Sequence, residues 1–330
     1  MFTKIIGLAL GAVCLLVVTA PASAAPAATT RINGTDYVRF SEWTKSSGLG
    51  WGWIKRDSTL YATNRSTRFL FIANSREAQV NNIQVWLLHP LVNRSGALYI
   101  SKLDTTTTLQ PLISPPRNAA GRKVKTICID PGHGGKDPGN RVGTQFEKEY
   151  TLRLARELRD QLTKAGFTVT LTRTGDTFLD LPRRPAIANQ RKADLFISLH
   201  FNAVASSRNT VKGAETFVLT PAGARSTSAP SSGPTATTQP GNRFNSQNML
   251  LGYEIQRQLV RTLKTTDRGV RRARFAILRD AEMPAVLVEA GFLSHPSEGK
   301  KIMDAAYRRE MAKAITDGVL AYKRVVERPN

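Results

Sequence analysis

Residues 124–139 of the 330-residue chain read VKTICIDPGHGGKDPG, an apolar run that leads into a loop rich in glycine and proline. The β-branched run Val124 to Ile129 predicts a buried strand. Proline and glycine on both sides of His133 let the backbone turn sharply, so we expect this histidine to be exposed at the end of the strand. A phosphate-binding loop is the rival interpretation, but neither common glycine-rich phosphate motif is present. The stretch therefore predicts a strand that delivers a reactive side chain.

The segments that follow alternate between strand-like and helix-like patterns. Apolar, β-branched runs predict strands at residues 167–171, 194–199, 214–219, 276–278 and 285–288. Apolar residues at steps of three and four predict helices at residues 152–165, 182–190, 251–263 and 311–322. This alternation predicts an α/β domain over residues 124–328, with a twisted, mostly parallel or mixed sheet and helices on both faces.

One segment interrupts the alternation. Residues 220–247 are rich in Ser, Thr, Pro, Gly and Ala and hold only Phe244 as a large apolar residue. Such a segment is too polar to bury a face, so we expect a mobile, low-complexity surface loop.

The region before residue 124 has a different character. Short apolar or alternating runs separated by turns predict a small β-rich domain over residues 31–113, with one helix near residues 41–47. Residues 114–123, with two prolines and three basic residues, predict a linker. The pattern formed by Ile32-Asn33-Gly34, Asn81-Asn82, His89-Pro90 and Tyr99-Ile100-Ser101 loosely resembles the small N-terminal domain of copper amine oxidases. This resemblance implies no copper, and we interpret the lone His89 as structural.

The first 24 residues resemble a secretory signal peptide. Lys4 supplies a positive start, residues 5–20 an apolar core, and Ala22-Ser23-Ala24 a small-residue cleavage site. The apolar run of about 16 residues is shorter than the roughly 20 that a membrane-spanning helix needs. We therefore expect an exported protein of the periplasm, cell wall or extracellular space, without a transmembrane segment after cleavage.

The charge and the cysteine count limit the partners and metal sites that this protein could have. There are 47 Lys and Arg against 25 Asp and Glu, which gives a net charge of +22 and indicates an anionic partner. Export favours anionic envelope polymers and argues against nucleic acid. With two cysteines the chain has neither a disulfide framework nor a four-cysteine zinc site, so a metal would have to use histidine and carboxylate.

Four polar residues stand where such a site could assemble. His200 follows the apolar run 195–199, Glu147 precedes the first helix of the domain, and Glu289 follows four apolar residues. With His133, the first two give a two-histidine, one-carboxylate set that suits zinc with one open position, although it also fits iron. Glu289 would be an unpaired carboxylate at a strand end, which suits a general base.

Residues 124–325 resemble the zinc-dependent N-acetylmuramoyl-L-alanine amidases, which cut bacterial peptidoglycan. The resemblance lies, in the order of the family, in residues 129–139, Glu147-Lys148, Arg184 with Ala188-Asn189, residues 198–202, residues 267–270 and residues 284–294. Two positions depart from the family pattern: Phe146 stands where Arg is usual, and His295 where Asn is common.

The resemblance implies one Zn²⁺ per chain, held by His133, Glu147 and His200, with Glu289 as the catalytic carboxylate. It further implies peptidoglycan as substrate and hydrolysis of the amide between N-acetylmuramic acid and L-alanine. Some members carry a helix that blocks the zinc site. Residues 220–247 lack the apolar periodicity for one, so we expect no helical plug from them; whether a protein activator is needed is not predicted.

Two alternatives remain at this level: another exported zinc hydrolase, such as a peptidase, and a wall-binding protein that has lost catalysis. Further predictions concern three single residues and one group of arginines. Cys128 is a buried small hydrophobe, and Asp130 and Asn202 orient loops and ligands. The arginines of residues 268–274 form either a solvated face or the wall of a substrate groove.

Overall fold

The computed structural model describes residues 28–119, 121–228, 233 and 235–328. The predicted signal peptide, residues 1–24, lies outside these ranges. Within them, every helix is too short or too polar to cross a membrane.

The N-terminal region consists mainly of short strands. They are β1 (Thr29–Ile32), β2 (Thr35–Arg39), β3 (Gly50–Lys55), β4 (Thr59–Thr63), β5 (Arg68–Ile72), β6 (Glu77–Val80), β7 (Ile83–Trp86), β8 (Val92–Arg94) and β9 (Ala97–Ser101). Helix α1 (Phe40–Ser46) lies where the sequence predicts one. A helical stretch follows β9, made of α2 (Lys102–Asp104), a π-helical turn (Thr105–Leu109) and α3 (Gln110–Ile113).

The rest of the chain alternates strands and helices. The strands are β10 (Thr126–Pro131), β11 (Arg141–Val142), β12 (Gln145–Phe146), β13 (Thr168–Leu171), β14 (Leu195–Asn202), β15 (Ala214–Leu219), β16 (Asp267–Ala273) and β17 (Ala285–Phe292). The helices are α4 (Glu147–Lys164), α5 (Arg183–Gln190), α6 (Asn245–Leu263), α7 (Ala276–Arg279), α8 (Pro296–Met303) and α9 (Ala305–Val326), with a 3₁₀ turn at Pro240–Phe244.

Eleven strands form one sheet, in the order β13-β10-β14-β17-β15-β16-β7-β6-β5-β4-β3. Strands β13, β10, β14 and β17 run parallel to one another, β15 is antiparallel to β17, and β16 is parallel to β15. The predicted α/β class with a mixed sheet is thereby confirmed. Because β10 and β14 are adjacent and parallel, their carboxyl ends bring the His133 loop and His200 to the same edge of the sheet.

The sheet runs without a break into the N-terminal strands. Strand β16 pairs with β7 at Val270 and Val85, and β7 to β3 continue as an antiparallel meander. Strands β1, β2, β9 and β8 form a separate four-stranded sheet. The β-rich character predicted for residues 31–113 is present, while the proposed domain boundaries at residues 113 and 124 stay a prediction.

Apolar side chains cover both faces of the central sheet. The larger cluster packs α4, α6 and α9 against one face, and the apolar side of α4 with Leu154, Leu158 and Leu162 is fully buried there. A smaller cluster on the other face includes Cys128, which is fully buried as predicted. Burial also raises the pKa of its thiol to about 12, so Cys128 is a poor nucleophile.

Two local predictions were wrong. Residues 276–279 form a turn of helix rather than a strand. The loop expected over residues 220–247 ends in a 3₁₀ turn and the start of α6. Within it Thr227 is buried, since its backbone N–H donates to Arg272 O (2.9 Å) and its hydroxyl accepts from Arg272 N (2.7 Å). The polar segment thus supplies hydrogen-bond partners for the backbone of β16 past the residue at which β7 pairs with that strand.

Candidate metal centre and active site

The loop after β10 holds His133 in an uncommon backbone conformation. Its φ is +61°, a left-handed value that is uncommon for residues other than glycine. The backbone oxygen of His133 accepts a hydrogen bond from Arg184 Nη2 at 2.9 Å. On the ring, Nδ1 lies 2.9 Å from Asp137 Oδ2, which turns Nε2 toward Glu147. The loop therefore fixes both the position of the imidazole and the nitrogen that it presents.

Glu147 is the first residue of α4 and is almost completely buried. It directly follows strand β12 of the short β11–β12 hairpin and so lies at a strand end and at the start of the helix. Each carboxylate oxygen accepts a backbone hydrogen bond, Oε1 from Phe201 N (3.0 Å) and Oε2 from Asn140 N (2.9 Å). These two bonds hold a buried carboxylate in place, as burial of a charge requires.

His200 lies near the end of β14, directly opposite Glu289 of β17 in the sheet register. Its Nδ1 is 3.0 Å from Glu147 Oε1, while His133 Nε2 is 3.1 Å from Glu147 Oε2. One potential ligand atom from each of His133, Glu147 and His200 lies within 4.8 Å of the other two. The three residues named from the sequence as metal ligands are thus brought together.

These residues fit a zinc ion. Zinc bonds of about 2.0–2.2 Å in a tetrahedral arrangement place ligand atoms roughly 3.3 Å apart. Each imidazole nitrogen lies 3.0 or 3.1 Å from one oxygen of Glu147, and one atom from each of the three residues lies within 4.8 Å of the other two. The two imidazoles lie directly against glycines. A Cβ on Gly132 would lie 2.3 Å from the His200 ring, and one on Gly139 would lie 2.6 Å from the His133 ring. Glycine at both positions keeps room for the histidines, and the donor set also suits iron.

Charges within the triad favour a cation. Burial alone would raise the pKa of Glu147, but hydrogen bonds from His133 and His200 lower it well below its ordinary value. Burial would lower the pKa of His133, but the hydrogen bonds and charges of Glu147 and Asp137 raise it above its ordinary value. The site thus concentrates negative charge on the side of the imidazoles that a metal ion would occupy.

Glu289 faces the same space from β17. Its Oε2 is buried and has no hydrogen-bond partner among the described residues. Burial, followed by the nearby charges of Glu147 and Glu215, raises the pKa of Glu289 well above its ordinary value. An unpaired carboxylate with a raised pKa beside a metal-ligand set is a candidate general base.

A cavity of about 300 Å³ joins these residues. Its polar wall contains His133, Asp137, Asn140, Glu147, Arg184, His200 and Glu289. Its apolar wall contains Leu181, Phe275, Ala276, Ile277 and Leu287. Leu181 (56% exposed) and Phe275 (37% exposed) are two of the five large hydrophobic side chains that are exposed in the described chain. The cleft therefore offers one wall for hydrogen bonds and one for apolar groups.

Asp130 and Arg184 lie beneath the His133 loop as a buried ion pair, 2.9 Å apart. Asp130 also accepts hydrogen bonds from Thr172 (2.6 Å) and Ser198 (2.8 Å). Asp130 therefore lies where the sequence analysis expects it, under the loop rather than in the cleft. Asn202 instead donates to Glu215 Oε1 at 2.9 Å.

The arginines of residues 268–274 divide between two environments. Arg268 and Arg271 lie 3.2 and 2.8 Å from Glu215 Oε2, beside the cleft. Arg272 is fully buried and donates to the backbone oxygens of Leu219 and Thr107. The interpretation of these arginines as a solvated face is therefore wrong for Arg272. His295, which departs from the family pattern, caps α8 through Nδ1 and does not line the cleft.

Sequence reasoning missed two residues of the site. Asp137 lies in the same loop as His133, so the Gly-rich motif could have pointed to it. Glu215 lies on β15 and faces Glu289 only because β15 pairs with β17. No pattern in the sequence predicts this pairing.

Comparison with known proteins supports the same assignment. A family model described as N-acetylmuramoyl-L-alanine amidase (Amidase_3) matches residues 127–321. The N-acetylmuramoyl-L-alanine amidase LytC of Bacillus subtilis is 36% identical over 200 residues, which are 61% of this chain and 36% of that protein. The N-acetylmuramoyl-L-alanine amidase AmiC of Neisseria meningitidis is 35% identical over 232 residues, 63% of this chain and 55% of that protein. The chain spans about a third and about half of these two relatives.

A solved structure has the same catalytic-domain fold. The crystal structure of an N-acetylmuramoyl-L-alanine amidase from Clostridium difficile matches with a TM-score of 0.50 and 33% identity. The match covers 61% of this chain and 97% of the solved chain.

Proposed function

Because the chain belongs to the N-acetylmuramoyl-L-alanine amidase family, we propose that it hydrolyses the amide between N-acetylmuramic acid and L-alanine in peptidoglycan, with one zinc ion held by His133, Glu147 and His200. The observation that carries the proposal is the convergence of these three ligands with an unpaired Glu289 in one cleft. The products would be a muramyl lactyl acid and a stem peptide with L-alanine at its amino end.

Zinc bound at the triad supplies a Lewis acid that polarises the carbonyl and acidifies water. The protein's own contribution begins with geometry. Asp137 and the backbone bonds to Glu147 hold the ligands rigidly, so that no reorganisation is needed when charge develops.

Glu289 moves the proton in the proposed reaction. Its Oε2 takes a proton from the water molecule as the water oxygen bonds to the lactyl carbonyl carbon. The same carboxyl then donates that proton to the alanine nitrogen as the C–N bond breaks. The raised pKa of Glu289 suits this double role, because a carboxyl with an ordinary pKa gives up its proton too readily to return it.

The setting proposed for this reaction is outside the cytoplasm. The predicted signal peptide, residues 1–24, supports export to the periplasm, the cell wall or the extracellular space. The net charge of +22 supports retention on anionic envelope polymers rather than on nucleic acid.

Chelation and restoration test the proposal. Purified protein is incubated with intact peptidoglycan, first as isolated, then after removal of metal by a chelator, and then after addition of zinc. We expect release of soluble stem peptides, loss of that release with the chelator, and its return with zinc. Unchanged release in the presence of excess chelator would contradict zinc dependence. Release of fragments cut within the peptide would instead assign the site to a peptidase.

A further inference from the structure

The stretch between β13 and α5 contributes Leu181 to the apolar wall of the cleft, and we call its residues 174–182 the wall segment. The wall segment is neither helix nor strand. Leu181 itself is 56% exposed, so few contacts of its own fix its position. A stretch without regular backbone pairing keeps its shape through bonds to the elements around it. The position of Leu181 therefore depends on what holds the wall segment.

Two buried arginines hold the ends of the wall segment. Arg173 donates from Nη1 to Gly175 O at 2.9 Å and from Nη2 to Gly132 O at 2.8 Å. Arg184 donates from Nη2 to Leu179 O at 3.1 Å and also bonds to the backbone of the loop after β10. Both ends are thus tied to the loop that carries the first metal ligand.

An ion pair holds the middle of the wall segment. Lys148 Nζ lies 2.7 Å from Asp176 Oδ2 and donates a second bond to Gly135 O at 2.8 Å. Asp176 Oδ1 accepts a hydrogen bond from Gly135 N at 2.7 Å. We call Lys148 and Asp176 the clamp. Its three bonds join helix α4, the loop after β10 and the wall segment.

The wall segment also packs closely on the loop after β10. A Cβ on Gly134 would lie 2.3 Å from Thr177 O, and one on Gly135 would lie 2.6 Å from Phe178 N. Lys136 Nζ lies over the Phe178 ring, 4.4 Å from its centroid. Glycine at these two positions lets the two backbones approach each other. The clamp therefore closes a contact that has almost no free space.

We propose that Lys148 and Asp176 are positioning residues, whose clamp holds the wall segment so that Leu181 packs against the substrate beside the scissile amide; this inference rests on the proposed function. Lys148 directly follows Glu147 at the start of α4. The clamp thus sets the apolar wall relative to the helix that begins with a metal ligand. Three charge-assisted bonds that share one geometry restrict this position more than a single surface ion pair does.

The metal ligands have bonds of their own that do not pass through the clamp. Glu147 accepts hydrogen bonds from Phe201 N and Asn140 N, and the His133 ring is held by Asp137. Loss of the clamp should therefore move the apolar wall and leave the metal ligands in place. Packing of the wall against substrate is present before and during the reaction, so its loss raises KM more than it lowers kcat.

Kinetics on a soluble muropeptide, with zinc measured on the same preparations, test the proposal. Asp176→Ala should raise KM at least about threefold, while kcat stays within about twofold of wild type and zinc stays at one ion per chain. Asp317→Ala, which breaks the Lys313–Asp317 ion pair on α9, is the matched control and should behave as wild type does.

A second variant shows whether the clamp acts through the apolar wall. Leu181→Ala should raise KM by itself, because it removes the side chain that the clamp positions. Adding Asp176→Ala to Leu181→Ala should then change KM little further, since residues that act together are not additive. Two effects on KM that simply multiply would contradict action through Leu181.

Hydrogen exchange measures the hold on the wall segment without any need for activity. Amides of residues 174–182 should exchange faster in Asp176→Ala than in wild type or Asp317→Ala. Unchanged exchange, an unchanged KM or loss of zinc in Asp176→Ala would overturn the inference. A wild-type protein that leaves the muropeptide intact would instead overturn the proposed function, and hydrogen exchange would still decide whether the clamp holds the wall segment.

Discussion

Carboxylates hold the His133 imidazole on both sides. Nδ1 lies 2.9 Å from Asp137 Oδ2 and Nε2 lies 3.1 Å from Glu147 Oε2. A carboxylate behind a metal-binding histidine fixes its orientation and increases its basicity, so Asp137 should act on zinc through His133.

Asp137→Asn should therefore weaken zinc binding by about 10- to 100-fold, since one amide oxygen must replace two carboxylate oxygens that bond to His133 and Gly139. Competition with a chelating dye measures this affinity. The exposed Asp160→Asn on α4 provides the control. Wild-type zinc affinity in Asp137→Asn would show that the loop backbone alone orients His133.

Glu289 is assigned to proton transfer and not to metal binding. Glu289→Gln should lower the rate of peptidoglycan cleavage by at least about 10²-fold, because an amide cannot take the proton from water. Zinc content, measured on the same preparation, should stay at one ion per chain. A variant that cleaves at the wild-type rate, or one that has lost its zinc, would contradict the assigned role.

The pH profile should report the raised pKa of Glu289. As a base this carboxyl must be ionised, so activity should fall as the pH drops through its pKa. Glu215→Gln removes one of the negative charges that raise this pKa and leaves Arg268 and Arg271 uncompensated. Both changes favour the ionised form, so the acidic limb of kcat/KM should shift to lower pH.

Glu310→Gln, on the exposed side of α9, is the control for that shift. An acidic limb that stays in place in Glu215→Gln, or moves equally in the control, would show that Glu215 does not act on Glu289.

Among the elements, the turn after β10 is the one whose shape the site depends on most. A Cβ on Gly132 would meet the His200 ring at 2.3 Å, although the Gly132 backbone itself is not in a left-handed conformation. Gly132→Ala should therefore displace His200 and lower zinc affinity at least tenfold.

Gly175→Ala is the matched control, since its Cβ would meet nothing within 4 Å and its φ is also ordinary. Isothermal titration with zinc compares the two variants. Equal affinities would mean that β10 and β14 can move apart without loss of the site.

Sequence patterns predict some elements better than others. Helix α4 is predictable because its buried leucines recur at helical spacing, and the strand before His133 because it is apolar and β-branched. Strand β3 escapes prediction because Gly50 and Gly52 break its pattern. Residues 276–278 are all apolar, and so short an apolar run does not distinguish a strand from a helix.

The metal ligands follow from the sequence because each stands in a motif of its own. The pairing of Glu215 with Glu289 does not, since it arises from the antiparallel insertion of β15 between β17 and β16. Contacts that a topology creates between distant segments carry no local signal in a single sequence.

For the whole molecule, the net charge of +22 should govern attachment to the cell wall. Binding to intact walls should weaken several-fold as salt rises from 50 to 300 mM, because salt screens exposed charges. Sedimentation with intact walls measures this binding, and wall binding that does not change with salt would contradict a role for the charge.

One continuous sheet contains both the catalytic strands and the N-terminal strands. The catalytic carboxylate lies on β17, the fourth of the eleven strands, and the N-terminal strands β7 to β3 form the other end of the sheet. The junction between β16 and β7 is held by hydrogen bonds from Gln84 N to Asp267 Oδ2 (2.8 Å) and from Trp86 Nε1 to Arg268 O (3.0 Å).

The most direct measurement is the identity of the amino end that the protein creates in peptidoglycan. Intact peptidoglycan is digested, new amino groups are labelled, and the products are identified by mass analysis. We predict label on L-alanine, together with glycan strands that end their side groups in free lactyl acid. Label on any other residue, or no new amino group in the presence of bound zinc, would contradict the proposed reaction.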